Sequence, residues 1–168
     1  MNLLIDKNKI ITDKWHRLPQ GSQTITKNNQ IIGLQDYLAS GKQNVTDFKF
    51  GISINSVAEF DQDKDALAKL VSSTQLTLIE IFFELFKSGA NYSIARILRE
   101  QLGWKKRLKA SGEIYLDQLP YLLRSGFDVF DLKDIQDEKG LNQALAMIEL
   151  EKKQSHYLDN FALGIYSV

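Results

Sequence analysis

Several small and polar residues lie directly after segments whose apolar patterns are typical of β-strands. The most informative group is residues 86–91, where a glycine stands beside hydroxyl and amide side chains at the start of a predicted helix. Backbone N–H groups at such a position can bind an anion, and a lysine lies nearby. The candidate anion- or ligand-binding residues here and after the next strand are Lys87, Ser88, Gly89, Asn91, Ser93, Ser111, Gly112 and Glu113.

These residue types also have a purely structural role. Ser and Asn are preferred at helix starts and Gly in tight turns, in proteins of every function. Glu113 and Lys87 could form an acid–base pair if their loops face each other, whereas two solvated loop charges are the simpler interpretation. The sequence leaves these alternatives open.

A second group of residues concentrates positive charge between positions 96 and 109. Within that stretch the cations are opposed only by Glu100. Such a group could dock an acidic protein surface, or it could be a solvated helix end. RNA binding is not expected, because aromatic and basic residues do not interleave as a stacking platform requires. The candidate partner-binding residues are Arg96, Arg99, Trp104, Lys105, Lys106, Arg107 and Lys109.

The composition excludes several kinds of chemistry. The 168 residues contain only two histidines and no cysteine. The absence of cysteine excludes disulfides, thiolate metal sites and a cysteine nucleophile. Lys plus Arg and Asp plus Glu each number 21, so the net charge is zero and nucleic acid is not an expected partner. No glycine-rich dinucleotide motif or P-loop follows a predicted strand, so we expect no cofactor, and we expect no metal.

The apolar segments are too short for export or for membrane insertion. The first apolar run ends after three residues, at Asp6, whereas a secretory signal needs about 7–15. The longest apolar stretch, residues 76–83, falls far short of the ~20 residues of a membrane span. We therefore expect a cytoplasmic protein that does not enter a membrane.

After Asp47 the pattern alternates strands with helices. Residues 48–54 are apolar at every second position, which predicts a strand at a sheet edge with one wetter face. Residues 76–83 predict a buried parallel strand, and weaker strands follow at 107–111 and 129–132. Together with the helices between them, these strands predict four β-α units.

Polar residues mark the predicted helix starts. Asp61 or Asp63 can cap the helix after the first strand, and Asn91 the helix after the second. Asp117 is the predicted N-cap of the next helix, which places Pro120 in its first turn, where a missing N–H group costs little.

The predicted architecture is an α/β fold with a parallel sheet, arranged as half of a (β/α) barrel, with a flavodoxin-like strand order as the alternative. Residues 1–46 form a hairpin arm, with strands at 3–5 and 10–11, packed on an α/β domain at 47–168. Residues 161–168 form a final strand or an ordered arm. An open half-barrel would leave apolar surface for a second copy, so we expect a homodimer.

The segment from Phe86 to Leu132 resembles a bacterial family, domain of unknown function 934. The matching residues are Gly89, Tyr92-Ser93, Ala95-Arg96, Leu98-Arg99, Gly103-Trp104, Leu108-Lys109-Ala110, Gly112-Glu113-Ile114, Asp117-Gln118-Leu119, Leu122 and Gly126-Phe127-Asp128-Val129-Phe130. Members are often labelled probable oxidoreductases of sulfite reduction, because their genes lie beside assimilatory sulfite reductase. The resemblance implies an accessory protein that binds sulfite reductase or its electron donor. The alternative is a small α/β anion- or small-molecule-binding protein, or an oxidoreductase, with its site at the carboxyl ends of the strands.

This chain departs from the family pattern mainly near the first candidate loop. The family usually has an acidic residue at Phe82, proline at Glu84, aspartate at Ser88 and arginine at Ala90. The polar residues that the resemblance carries over, without assigned roles, are Arg96, Arg99, Lys109, Glu113, Asp117 and Asp128.

Overall fold

A single curled sheet of the half-barrel type organises the protein. The computed structural model describes residues 3–6, 9–41, 47–85, 89–135 and 137–154. The sheet has the order β2-β1-β8-β7-β6-β5-β4-β3. Its strands are β1 (Leu3–Asp6), β2 (Lys9–Thr12), β3 (His16–Arg17), β4 (Gln30–Gly33), β5 (Phe50–Ile54), β6 (Leu76–Phe83), β7 (Arg107–Gly112) and β8 (Val129–Phe130).

The strands from β3 to β8 run parallel, each beside its predecessor. Connections of one hand between successive neighbours place all crossover helices on one face of the sheet. Accordingly α1 contacts α2, α2 contacts α3, and α4 contacts α5. The predicted α/β half-barrel is confirmed. The helices are α1 (Leu34–Ala39), α2 (Val57–Leu70), α3 (Ala90–Arg96, continued by a π-helical turn at Ile97–Gln101), α4 (Leu119–Arg124, after a 3-10 turn at Leu116–Gln118) and α5 (Glu138–Gln154).

The predicted edge position of the strand near residue 50 is wrong. β5 lies between β4 and β6, and all five of its residues are buried. The reason is that residues 30–33 form a further parallel strand followed by the short helix α1, so the sheet has one more β-α unit than the sequence predicts.

The N-terminal hairpin is confirmed and is part of the sheet. β1 and β2 are antiparallel, with Leu3 opposite Thr12 and Asp6 opposite Lys9. β1 also pairs antiparallel with β8, where Ile5 lies opposite Phe130. The first segment of the chain therefore extends the sheet beyond β8.

The two edges of the sheet are close together along the chain. β2 and β3 lie at opposite edges, yet only residues 13–15 connect them. Four backbone steps span at most about 14 Å, so the sheet must curl until its edges approach each other. The segment 13–17, which we call the crossing segment, consequently lies over the concave face, where its side chains reach β6 and β7.

All three predicted N-caps are wrong. Ser56 caps α2 by accepting a hydrogen bond from the Glu59 N–H at 3.1 Å, so neither predicted aspartate is needed. Asn91 lies inside α3 and donates its side-chain amide to the Phe82 carbonyl. Asp117 lies within the 3-10 turn, although Pro120 does occupy the first turn of α4 as predicted. The predicted strand or arm at 161–168 falls outside the described residues.

Gly112 is required by a close approach of β7 to β6. Its φ is +93°, and an added Cβ would lie 2.3 Å from the carbonyl oxygen of Phe83. That carbonyl accepts a hydrogen bond from the Glu113 N–H at 2.7 Å. A side chain at position 112 would therefore disrupt the carboxyl end of β7.

We expect Gly112→Ala to lower the free energy of unfolding by at least about 2 kcal/mol, because it combines a left-handed backbone with a steric clash. Urea unfolding measures this change. Gly89→Ala is the matched control, since no atom lies within 4 Å of its added Cβ and its φ is −59°. Equal stability of the two variants would contradict the role given to Gly112.

Candidate functional site

Charged side chains occupy the concave face of the central strands. In β6 and β7, Glu80 lies opposite Lys109, and Phe82 lies opposite Ser111. Because side chains alternate along a strand, these residues face away from the helices, while Ile79 and its alternate neighbours enter the apolar core. Glu80 is 2% exposed and Lys109 is 4% exposed. Burial of both charges requires partners.

Glu80 is held by three groups. The Arg17 guanidinium donates to its Oε2 at 2.6 Å. The Ser111 hydroxyl donates to Oε1 at 2.8 Å, and the Lys109 ammonium lies 3.5 Å from the same oxygen. The carboxylate therefore joins the crossing segment to two central strands.

Lys109 is surrounded by carboxylates. Its Nζ lies 3.1 Å from an oxygen of Asp13 and 3.9 Å from one of Asp131, in addition to Glu80. Asp13 is fixed by the Trp15 backbone N–H, which donates to its other oxygen at 2.9 Å. We call Asp13, Arg17, Glu80, Lys109 and Asp131 the ionic cluster.

The ionic cluster carries one more negative charge than positive. Two cations face three carboxylates, and Asp131 is the most exposed of the three, with 40% of its side chain accessible. Burial raises the pKa of Asp131, and the nearby carboxylates of Asp13 and Glu80 raise it further, although Lys109 and Arg17 oppose this effect. Burial and the neighbouring carboxylates therefore favour the protonated form of Asp131.

Between the residues that the structure describes, two cavities adjoin the ionic cluster, and Arg17 lines both of them. The first, which we call the inner cavity, has a volume of about 200 Å³. Besides the ionic cluster, it is lined by Trp15, Ile31, Phe82, Ser111 and Gly112. The second, which we call the rim cleft, has a volume of about 390 Å³. Its lining residues are Arg17, Leu18, Gln20, Gly33, Gln35, Asp36, Ser53, Asn55, Ser56 and Glu59.

The rim cleft lies at the carboxyl ends of β4 and β5. Asn55 accepts hydrogen bonds there from the Arg17 guanidinium at 3.3 Å and from the Ser53 hydroxyl at 3.0 Å. Glu59, in the first turn of α2, accepts from the backbone N–H groups of Asn55 at 2.7 Å and Gln35 at 3.3 Å. These bonds fix the cleft walls through backbone and side chain alike.

The structure brings together only part of the predicted ligand site. Ser111 and Gly112 line the inner cavity. Asn91 is buried beneath the end of β6, whereas Gly89 and Ser93 are exposed. Lys87 and Ser88 lie outside the described residues.

The Glu113 side chain, directly after β7, has two side-chain partners. It pairs with Lys133 and accepts a hydrogen bond from the Tyr115 hydroxyl at 2.7 Å. An acid–base pair between Glu113 and Lys87 stays a prediction.

The predicted partner-binding residues do not form one surface. Trp104 is 1% exposed, and the buried Arg99 donates to the carbonyls of Gly126, Trp104 and Lys106. Both residues hold the turn before β7 together.

Of the other predicted partner-binding residues, Lys109 belongs to the ionic cluster, while Arg96 pairs with Glu100 and Arg107 with Asp6. Lys106 is half-buried and donates to two backbone carbonyls. Lys105 is exposed.

Sequence reasoning missed Arg17, Glu80, Asp13 and Asp131 as site residues. One signal was present, because Glu80 is the single charge within the apolar run of β6. A charge in a strand buried on both faces indicates a paired or functional group. Its partners come from segments that the sequence does not connect to it.

Of the positions at which the resemblance implied a departure from the family pattern, Phe82 adjoins the site. Phe82 lines the inner cavity, and the Arg17 guanidinium lies 4.5 Å from the centre of its ring. Glu84 follows β6 and is exposed, and Ala90 begins α3.

Within the described part of the chain, no group of three or more His, Asp or Glu side chains is arranged to hold a metal ion. None of the described helices is long and apolar enough to cross a membrane.

We expect Glu80→Gln to lower the free energy of unfolding by about 3 kcal/mol, because Arg17 and Lys109 lose a buried countercharge. Denaturant unfolding measures the loss. Glu149→Gln, on the exposed part of α5, is the matched control and should stay within about 0.5 kcal/mol of the wild type. If Glu80→Gln were as stable as its control, the ionic cluster would not support the fold.

Comparison with known proteins identifies a family. No curated protein and no solved structure matches the chain. The family model described as "Bacterial protein of unknown function (DUF934)" matches residues 57–159, which include α2, the central strands β6 to β8 and α5. The chain therefore belongs to this bacterial family of unknown function, DUF934.

Proposed function

We propose that the protein binds a small polar molecule at the carboxyl ends of its parallel strands. The observation that carries this proposal is the position of Arg17, which lines both the inner cavity and the rim cleft. In parallel α/β folds, ligands bind at the carboxyl ends of the strands.

The buried charged side chains beside the inner cavity support the proposal. Glu80 and Lys109 lie on central strands, where paired apolar residues of similar volume would serve stability equally well or better. Strongly paired charges beside a cavity are typical of binding sites, whose polar groups fix the orientation of a ligand. The two cavities together have room for a metabolite-sized molecule.

A second candidate is an accessory role in assimilatory sulfite reduction, in which the protein binds sulfite reductase or its electron donor. This proposal rests on the family resemblance and on the distribution of exposed charge. The amino ends of the strands, opposite the rim cleft, carry the exposed side chains of Lys27, Lys49 and Lys105. Such a surface would attract an acidic protein and speed its association.

Hydrogen bonds connect the loops that carry these lysines. The Asn29 N–H donates to the Lys49 carbonyl at 2.8 Å, and the Phe50 N–H donates to the Gln75 carbonyl at 3.0 Å. The Lys106 ammonium donates to the Leu76 carbonyl at 2.7 Å. These cations, together with the exposed Asp47 in the same loop as Lys49, therefore belong to one continuous surface, which we call the basic edge.

The homodimer remains a prediction. The concave face is polar and lies under the crossing segment, so it is not the apolar surface that motivated the expectation. Among the described residues, the exposed large apolar side chains are those of Phe48, Leu85, Tyr121 and Leu150. Tyr121 and Leu150 lie on the neighbouring helices α4 and α5, where we propose that a second copy packs.

For small-molecule binding, we expect at least one compound in a panel of amino acids, amines, sugars, nucleotides and organic acids to raise the melting temperature. A ligand at 100 times its Kd stabilises by about 2.7 kcal/mol. Asn55→Ala should reduce the shift because Asn55 forms the wall of the rim cleft, whereas Asn142→Ala, on exposed α5, should not. No shift with any compound at millimolar concentration would contradict this function.

For the accessory role, we expect binding to sulfite reductase or to its electron donor in a biolayer assay, weakening as salt rises. Charge reversal by Lys49→Glu or Lys105→Glu should slow association severalfold. Lys139→Glu, at the start of α5 and near the carboxyl ends of the strands, is the matched control. Absence of binding to either protein would contradict this role.

A further inference from the structure

We infer that the inner cavity receives a positively charged group, a small primary ammonium, from its ligand. The inference rests on the proposed small-molecule function and specifies the ligand class. It follows from the charge balance of the ionic cluster, the contacts of Asp131 and the aromatic walls of the cavity.

Charge balance favours a cation. Arg17 and Lys109 supply two positive charges to the cavity wall, and Asp13, Glu80 and Asp131 supply three negative charges when ionised. The surplus lies in partly buried surroundings, where water compensates a charge less than it does at the surface. An ammonium group would neutralise it, whereas an anion would add to it.

Asp131 is the carboxylate with acceptor capacity left for a ligand. Glu80 is engaged at 2.6 and 2.8 Å, and Asp13 at 2.9 and 3.1 Å. Asp131, in contrast, has its nearest cation, Lys109, at 3.9 Å, which exceeds hydrogen-bond distance. An entering ammonium could therefore donate to Asp131 without displacing an existing partner.

The other walls suit the carbon atoms next to an ammonium group. Trp15 contributes an aromatic side chain, Phe82 contributes a ring with the Arg17 guanidinium over one of its faces, and Gly112 leaves one wall without a side chain. Aromatic faces attract cations and their adjoining methylene groups. A volume of about 200 Å³ corresponds to several heavy atoms, so the cavity takes a small head group and not a bulky one.

Anion binding requires a less favourable rearrangement. Each described cation of the cluster already faces carboxylates, so an anion would have to displace one of them and leave it unpaired. The cost of an unpaired buried carboxylate opposes this exchange. A role in sulfite reduction would accordingly act through a partner protein and not through sulfite held in this cavity.

The test measures binding of ethylammonium and putrescine, with acetate and sulfate at equal ionic strength as the opposing arm. We expect both ammonium compounds to raise the melting temperature and to change the fluorescence of Trp15. Asp131→Asn should weaken their binding about tenfold, as expected when a charged acceptor is lost. Asp65→Asn, exposed on α2, is the matched control.

A measurement on the wild type covers the case in which Asp131→Asn does not fold. In ¹³C NMR the Asp131 carboxyl should titrate at a lower pH when ethylammonium is present, because a bound cation favours the ionised form. Displacement of its titration to higher pH, or no displacement at saturating ethylammonium, would overturn the inference.

The outcomes separate this inference from the proposed function. If acetate or sulfate raises the melting temperature and the ammonium compounds do not, the cavity is an anion site and the inference fails, while small-molecule binding stands. If neither class binds but other compounds give an Asn55-dependent shift, the inference fails in the same way. If no compound binds at all, both fail.

Discussion

The structure depends on the need to neutralise Glu80, a carboxylate buried in the middle of a sheet. An unpaired charge at that position would cost several kcal/mol, so cations must be delivered to it. One comes from the neighbouring strand as Lys109, and the other comes from Arg17, far away in the chain. Because Arg17 lies in β3, at the end of the crossing segment, its contact with Glu80 also holds the crossing segment over the concave face.

The same contacts that close the fold also shape the candidate site. Arg17 holds Glu80 and Asn55, and it lies over the ring of Phe82, so its position sets the walls of both cavities. Movement of Arg17 would break these contacts and remove one of the two buried countercharges of Glu80. The stability of the fold and the proposed ligand site therefore draw on one set of interactions, whereas the proposed partner surface, the basic edge, lies at the opposite ends of the strands.

Local patterns in the sequence predict much of this fold, but long-range pairing determines the site. The hairpin, the parallel sheet and most helices follow from periodicity and turn residues, and Ser111 and Gly112 were predicted near the site. Residues 30–33 were missed as a sheet strand because an apolar pair is too short to show a period. Arg17 and Asp13 could not be predicted, since they lie 63 and 96 residues from the partners they contact.

The antiparallel contact between β1 and β8 has a consequence for biosynthesis. Chains leave the ribosome N-terminus first, so β1 emerges well before its neighbour β8, which is the last of the described strands to be made. Until then the hairpin has only itself to pair with on that side, and its open edge is available to other nascent chains. Completion of the sheet must therefore wait until β8 has been synthesised.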